Sequence, residues 1–444
     1  MSRITLAIPM AGMGSRMGAI SEIVPKGLIN YHNHTFLYHI YRYYEDAFDE
    51  CVVTVNSKFR PMLEQYAENF NLTLTIINDD TYDGNSNILH HCKGDVILNW
   101  CDVVPVDVDV RDLKSGVTVF TKDGTGRFVY DNGVTEVSTD SGDFCGIYAI
   151  RDCEYDIVNG DFVDVMIANN FDVDLRECDV VDLGSFDKLS LTQDTLPTAR
   201  YFNEITYHDG VIRKRAVGDE LSRFKISREI EVLKEGRVGY VELIDHDDDS
   251  YTMPVLYGTM PTRLTPPMIN KGDDVSEDDI RVEISERVLS RIESITEYTH
   301  IDIDELRVKL HELESYVIEN THAFYDIHGD MICDNAFDTD NGVVFIDPRG
   351  YFGNGTRGPI EYDTSKFLYS VNGYFDFNYN VMYDGDFEKY DNHSEMSLLE
   401  EAWVATHWLA LAGFFKNNPS KAIGAYHIGM NKLCRFIATL SASR

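Results

Sequence analysis

The chain has 444 residues, with 39 Lys plus Arg against 75 Asp plus Glu, a formal charge of −36. With 43% hydrophobic residues it can bury full cores, and its length predicts two or three domains rather than a disordered chain. A surface this acidic repels phosphate backbones and anionic lipid, which excludes general nucleic-acid binding and a polybasic membrane anchor, so phosphate chemistry must rest on local cations or metal ions.

The opening MSRITLAIPMAG has a short apolar run before glycines and no small-residue cleavage pattern, so it reads as a buried strand and not as a signal peptide. Residues 4–9, 51–55, 72–77 and 95–99 are short β-rich runs, separated by helical spacing such as Phe36, His39, Ile40 and Tyr43. That alternation predicts an α/β domain with a parallel sheet. After Gly116, runs at 117–121, 127–130 and 146–150 predict added mixed strands, with the first unit closing between Asp182 and Leu191. A second unit is expected from about Pro197. Asn203–His208, the turn Asp209-Gly210 and Val211–Ala216 read as one hairpin, and Gly239–Asp245 with Tyr251–Tyr257 as another. The acidic tip between the latter two has calcium-loop spacing at Asp245, Asp247 and Asp249. Ser250 and Leu256 stand where that loop needs Gly and Glu, so the tip reads as a solvated turn.

From residue 282 helices dominate, with one apolar stripe at Val282, Val288, Leu289, Ile292 and Ile295 and another at Leu306, Leu310, Leu313 and Val317. The longest apolar stretch, Ala402 to Phe415, spans 14 residues and contains His407, too short and too polar to cross a bilayer. The eight cysteines are scattered and form no C-x-x-C pair, as expected of free thiols in a reducing compartment. Together these features predict a soluble, cytoplasmic protein without nucleic-acid or membrane partners; homo-oligomerisation is left open.

After the first strand comes Ala11-Gly12-Met13-Gly14-Ser15-Arg16-Met17-Gly18, followed by Pro25-Lys26-Gly27. Glycines there let backbone N–H groups approach an anion, and a following helix N-terminus adds its positive end. A Gly-rich turn alone signals little, but Arg16 and Lys26 add two cations able to hold a triphosphate and to stabilise departing pyrophosphate. The loop resembles the signature of the nucleotidyltransferase family that makes nucleotide-sugars and CDP-choline, over about residues 3–192. Gly94 to Asp102 ends a hydrophobic strand in an Asp where that family places a magnesium ligand, and Val180-Val181-Asp182-Leu183-Gly184-Ser185 resembles its late D-x-G-[ST] segment. The resemblance implies Gly12 and Gly14 in the cradle, Arg16 and Lys26 on phosphates, and Asp102 and Asp182 on Mg²⁺. It also puts Asn85 and Ser86, in Asp83-Gly84-Asn85-Ser86-Asn87, where the family reads the base, although both residue types are common in loops. The family's sugar-phosphate E-K-P segment is missing before Gly146, so substrate recognition on that side does not transfer.

His328-Gly329-Asp330-Met331-Ile332-Cys333-Asp334-Asn335 reads H-x-D-x-x-x-x-N, and Asp347 follows a short strand at 342–346. A carboxylate at Asp330 can take the proton of an attacking hydroxyl while Asn335 and Asp347 converge on magnesium bridging the ATP phosphates. The region resembles the aminoglycoside phosphotransferase and choline kinase family over about residues 198–444. That resemblance implies a bilobal protein-kinase-like α+β domain with a strand lysine and a helix glutamate, for which Lys214 and Glu229 are the candidates, Arg213 being the neighbouring alternative. It further implies a hinge after Tyr251–Tyr257 and a supporting Asp at Asp363. Nine of the 39 basic residues fall between Arg200 and Arg237, which fits an ATP lobe and equally a solvated helix face. Choline kinases continue the metal Asp with Trp-Glu, whereas this chain has Pro348-Arg349-Gly350. An Arg there opposes a trimethylammonium group, so a neutral or anionic hydroxyl compound such as a polyol or sugar is expected.

The expected organisation is a Rossmann-like nucleotidyltransferase domain over 1–195 and a kinase-like domain over 196–444, with its small lobe at about 198–258 and its helical lobe at about 259–444. The order resembles fused cytidylyltransferase–choline kinase proteins of bacterial surface-glycan synthesis, and by that resemblance alone CTP is the expected second nucleotide beside ATP. A kinase makes the phosphate ester that a nucleotidyltransferase consumes. A single-activity enzyme and a nucleotide-binding regulatory protein are the other two readings, the latter disfavoured by carboxylates clustered near phosphate.

Overall fold

The structure is a computed structural model of the chain. It describes all residues except 1–2, 13, 18–19, 33, 82–83, 112, 127, 131–132, 137–141, 186–187, 189–202, 218–219, 262, 273–275, 380–385, 391–395 and 444. The described residues fall into two compact units, Met1–Leu196 with Lys416–Ser420, and Pro197–Phe415 with Lys421–Arg444. Met13, Gly18, Asp83, Arg200 and the expected boundary at 195–196 lie outside the described residues.

In the first unit the main strands are β1 (Ile4–Pro9), β2 (Glu50–Val55), β3 (Thr75–Asn78), β4 (Asp95–Asn99), β5 (Val103–Asp107), β6 (Gly116–Gly126), β7 (Gly142–Arg151), β8 (Val173–Glu177) and β9 (Asp179–Asp182), beside short pairs at Asn30–Tyr31 with His34–Thr35 and Phe128–Tyr130 with Val134–Glu136. Seven of them form one sheet in the order β8-β6-β7-β4-β1-β2-β3. β4, β1, β2 and β3 run parallel, Ala7 facing both Val52 and Leu98 in register. β7 pairs antiparallel with both β4 and β6, which gives the mixed extension. Leu6, Ala7 and Ile8 are 0% exposed, the continuous apolar run of a strand covered on both faces. The crossover helix α1 (Phe36–Tyr44) starts on the Thr35 side chain, which accepts the Tyr38 N–H, and buries Phe36, Leu37, Ile40 and Tyr41. Tyr43 of the expected stripe is 39% exposed and bonds the Val108 backbone through its hydroxyl. The crossover helix α2 (Arg60–Phe70) has Pro in its first turn and ends on Asn71 in the left-handed region, and helix α3 (Phe162–Asn169) follows β7. This arrangement, a parallel Rossmann-like sheet extended through the antiparallel internal strand β7, makes the first unit mixed α/β.

The second unit opens on the hairpin β10 (Asn203–His208) and β11 (Val211–Ala216). Asp209 and Gly210 sit at φ 46° and 81°, the pair of positive values a type I′ turn requires. The second expected hairpin forms only in part: β12 is Asp245–His246, β13 is Ser250–Pro254, and Tyr240 bridges to Phe345 instead. The strand expected to reach Tyr257 thus stops at Pro254. β11 carries β13, which carries β12. Helix α4 (Glu220–Lys234) packs on this sheet through Ile226, Ile230 and Leu233. The rest is mainly helical: α5 (Arg287–Glu293), α6 (Ile303–Asn320), α7 (Ile360–Tyr369), α8 (Leu398–Phe414) and α9 (Pro419–Ser443), with the ribbon β14 (Ala336–Thr339) and β15 (Gly342–Phe345) between α6 and α7. α8 is buried at every position from Ala402 to Gly413, including Trp403 and Trp408, as an apolar-all-round core helix should be. No helix among the described residues is long and apolar enough to cross a membrane.

Candidate functional site

Two cavities, one in each unit, collect most of the residues singled out by sequence. In the first unit, the loop after β1 and Asp102 just past β4 stand at the carboxyl ends of adjacent parallel strands, where open α/β sheets place ligands. Gly14 has φ +61°, and a Cβ there would come 2.9 Å from the Ser21 Cβ, so the turn into the single-turn helix carrying Arg16 requires glycine. Lys26 opens another short turn behind Pro25 and reaches inward. Its Nζ pairs with Asp102 and donates to the Gly184 carbonyl at 2.9 Å. The side chains of this pair are only 9% and 10% exposed.

β9 pairs antiparallel with β5, which sets Asp182 opposite Val103 and therefore beside Asp102. Asp182 Oδ1 accepts the Gly184 N–H at 2.8 Å and Oδ2 pairs with Lys188 at 2.7 Å. A methyl placed on Gly184 would lie 2.9 Å from Asp182 Oδ1, 3.1 Å from Asp102 Oδ2 and 3.8 Å from Arg16 Nη2. Three chain segments thus bring their charged ends to one point. The adjoining cavity, about 410 Å³, is lined by Gly12, Gly14, Arg16, Lys26, Asn85 and Asp102 among others. Asn85 Oδ1 accepts the Phe162 N–H at the start of the helix Phe162–Asn169 at 2.8 Å. Ser86 is 0% exposed and its hydroxyl donates to the Val158 carbonyl at 2.7 Å.

In the second unit, alternation along β11 turns Lys214 inward and Arg213 outward. Arg213 bonds Asp247 and Ser250 of the acidic turn, whereas Lys214 is 4% exposed and pairs with Glu229 at 2.8 Å and Asp347 at 2.9 Å. Tyr251 was not singled out by sequence. Its hydroxyl lies 2.8 Å from Glu229 Oε2 and 3.0 Å from Asp347 Oδ1. Burial acts against the charge of Lys214, but Asp347 and Glu229 outweigh it and raise its pKa; burial raises that of Glu229 despite Lys214. Asp347 adopts φ 53°, a left-handed conformation uncommon outside glycine and of the kind held at functional sites.

The loop carrying Asp330 is held from behind. Asp363 on α7 accepts the N–H groups of His328 and Gly329 at 2.8 and 2.9 Å, and the His328 ring bonds the Ile346 carbonyl at 2.8 Å. Asn335 Nδ2 donates to the Asp330 carbonyl at 2.8 Å, leaving its Oδ1 as a donor atom for a ligand. Lys366, also absent from the sequence reading, pairs with Asp330 at 3.1 Å; burial brings its pKa down to about 8 although Asp330 opposes this. Lys214, Glu229, Asp330 and Asp347 line one cavity of about 130 Å³.

Arg349 lines the same cavity but does not stand alone. Glu283, 1% exposed, lies in a π-helical turn at Val282–Glu286 and binds both Arg349, at 2.5 and 3.0 Å, and Arg287. Tyr362 joins both guanidinium groups at 2.7 Å. Burial opposes the Glu283 charge, yet Arg287 and Arg349 hold its carboxyl well below the usual range.

Among the described residues no group of three or more His, Cys, Asp or Glu side chains is arranged to hold a metal ion, and all eight cysteines are free. No protein-family model matches the chain, and no curated protein matches it in sequence. Several solved structures resemble its N-terminal part. The CTP:phosphocholine cytidylyltransferase of Streptococcus pneumoniae is 18% identical, covering 43% of this chain and 98% of that one at a TM-score of 0.34. The inositol-1-phosphate CTP transferase of T. maritima is 10% identical, covering 44% and 97% at 0.35. A UDP-glucose pyrophosphorylase complexed with UDP-glucose is 10% identical, covering 43% and 97% at 0.35.

Proposed function

We propose that the chain is a bifunctional enzyme: the second unit phosphorylates a small hydroxyl compound with ATP, and the first joins the resulting phosphate ester to a nucleotide, CTP by preference. The reading of the first unit is carried by the convergence of Arg16, Lys26, Asp102 and Asp182 around Gly184 beside a Gly-rich turn. In its reaction an oxygen of the phosphate ester forms a bond to the innermost phosphorus of the nucleoside triphosphate, and the bond from that phosphorus to the bridging oxygen breaks. Arg16 and Lys26 supply fixed positive charge where the pyrophosphate oxygens gain negative charge, in a site where neither cation must reorganise.

In the second unit Lys214, braced by Glu229 and Asp347, is positioned to bind phosphate oxygens of ATP. The acceptor oxygen forms its bond to the terminal phosphorus, ADP departs, and Asp330 receives the hydroxyl proton. Lys366 at 3.1 Å favours the ionised, proton-accepting form of Asp330. The carboxylates of Asp102 and Asp182, and of Asp347 with the Asn335 carbonyl oxygen, are hard oxygen donors that suit Mg²⁺. Bound there, Mg²⁺ would neutralise triphosphate charge.

Pyrophosphate release from each of the four nucleoside triphosphates, measured with phosphocholine, glycerol 3-phosphate and glucose 1-phosphate as acceptors, tests the first half. At least one combination should release pyrophosphate in wild type and lose it in Lys26→Ala. Release unaffected by Lys26→Ala would refute the assignment.

A further inference from the structure

We propose that the second unit holds its acceptor by an anionic group, a carboxylate or a phosphate monoester on the hydroxyl compound, received by Arg291 and Arg287. The inference deepens the phosphotransferase reading above and rests on it for the identity of the bound molecule as an acceptor.

The charge around the cavity opposes that of the chain. Against a formal −36 overall, the lining carries six Lys or Arg and three carboxylates. Lys214 is engaged by Glu229 and Asp347, and Lys366 by Asp330. At the remaining end, Arg287 and Arg349 share the single carboxylate of Glu283. Arg291 makes no ion pair among the described residues; its Nη1 donates to the Ala410 carbonyl at 2.9 Å. Three guanidinium groups therefore face one carboxylate in a largely enclosed place.

A guanidinium cannot relieve that imbalance by losing its proton at neutral pH. Burial, with Arg287 and Arg349 adding to it, brings Arg291 down only to about 10, so it stays charged. Arg287 lines the same cavity beside it. A planar guanidinium fork matches the oxygens of carboxylate or phosphate. The aromatic lining argues the same way. A quaternary ammonium ion needs open ring faces, yet the Tyr351 ring carries the Arg349 guanidinium at 3.9 Å and the Tyr369 ring faces the Lys366 ammonium at 5.4 Å. Two of the lining rings thus already carry the protein's own cations. During transfer the acceptor's hydroxyl oxygen bonds the terminal phosphorus, ADP leaves, Asp330 takes the proton, and the anionic group remains unreacted on the arginines.

The test is calorimetric titration of the full-length protein, in phosphate-free buffer with a non-hydrolysable ATP analogue and Mg²⁺ present. D-glycerate, glycerol 3-phosphate, glycerol and choline are compared in wild type and in Arg291→Gln, whose folding is checked by circular dichroism. At least one of the two anions should bind tenfold or more tighter than glycerol, the tighter one identifying carboxylate or phosphate, and Arg291→Gln should erase the preference. Glycerol or choline binding as tightly as both anions in wild type overturns the proposal whether or not the variant folds, as does an anion preference that survives in a folded Arg291→Gln. Mass detection of phosphorylated product from ATP separates the two readings. Anion binding without any product would leave the anion site standing and remove the phosphotransferase, whereas preferred phosphorylation of glycerol or choline would do the reverse.

Discussion

Lys214 Nζ stands 2.9 Å from Asp347 Oδ2 and 2.8 Å from Glu229 Oε2, so one strand lysine bridges a helix carboxylate and the carboxylate behind the β14–β15 ribbon. Three separately folded segments must be in place for that triad to form. Lys214→Met should lower phosphoryl transfer from ATP by roughly 10²–10³-fold, the scale of losing one preorganised charge donor, and leave nucleotidyl transfer from a supplied phosphate ester within about twofold. Rates of the two half-reactions on the same preparation check this.

The Lys26–Asp102 pair is buried, so removing one partner strands the other. Lys26→Met alone should destabilise the first unit by about 3–5 kcal/mol in urea unfolding, whereas Lys26→Met with Asp102→Leu should recover most of that loss and still lack nucleotidyl transfer. Recovery of stability without activity separates a catalytic ion pair from one kept only for folding.

Lys366 should make phosphoryl transfer pH-dependent. Its pKa is brought down to about 8, so its positive charge beside Asp330 in the cavity fades as pH rises through 8. Phosphoryl transfer should fall on that alkaline limb, and Lys366→Arg, which stays charged, should move the limb upward. The stability effect has the opposite sign. The folded chain binds fewer protons at this site than the unfolded chain between about 8 and about 10.4, so the contribution to stability increases with pH across that window.

Glu283 compensates two arginines at once. Glu283→Gln should destabilise the second unit by about 3–5 kcal/mol, since it leaves buried guanidinium charge without its partner. Because its folded pKa is depressed, the wild-type contribution is present above about pH 4.3 and is lost as pH falls below that value. Acid titrations of wild type and variant, followed by fluorescence, should therefore converge at low pH.

What the sequence made legible was local. Asp209-Gly210 specifies its turn because two adjacent residues adopt the required positive φ, and His328 to Asn335 carries its chemistry in a run that folds as one loop. Lys366 was hidden because its partner Asp330 is distant in sequence. Its one local signal is position: it lies three residues after Asp363, so the helix face that holds the loop also delivers the lysine. The Glu283 cluster was hidden for a second reason. The π-helical turn at Val282–Glu286 shifts the helical phase, so Ile280 and Ile284 are buried while Val282 and Leu289 of the expected stripe are only half-buried. Gly239–Asp245 had a strand's composition, yet Tyr240 bridges to Phe345, a choice made by tertiary pairing.

The most direct measurement of the central claim is a mass-resolved product assay with ATP, CTP, Mg²⁺ and a panel of hydroxyl compounds, run on wild type, Asp330→Asn and Lys26→Ala. Wild type should give an NDP-linked product, Lys26→Ala a phosphate ester that accumulates without conversion, and Asp330→Asn no product unless the ester is supplied. An NDP-linked product formed from the free alcohol by Asp330→Asn, or ester conversion undiminished in Lys26→Ala, would contradict that claim.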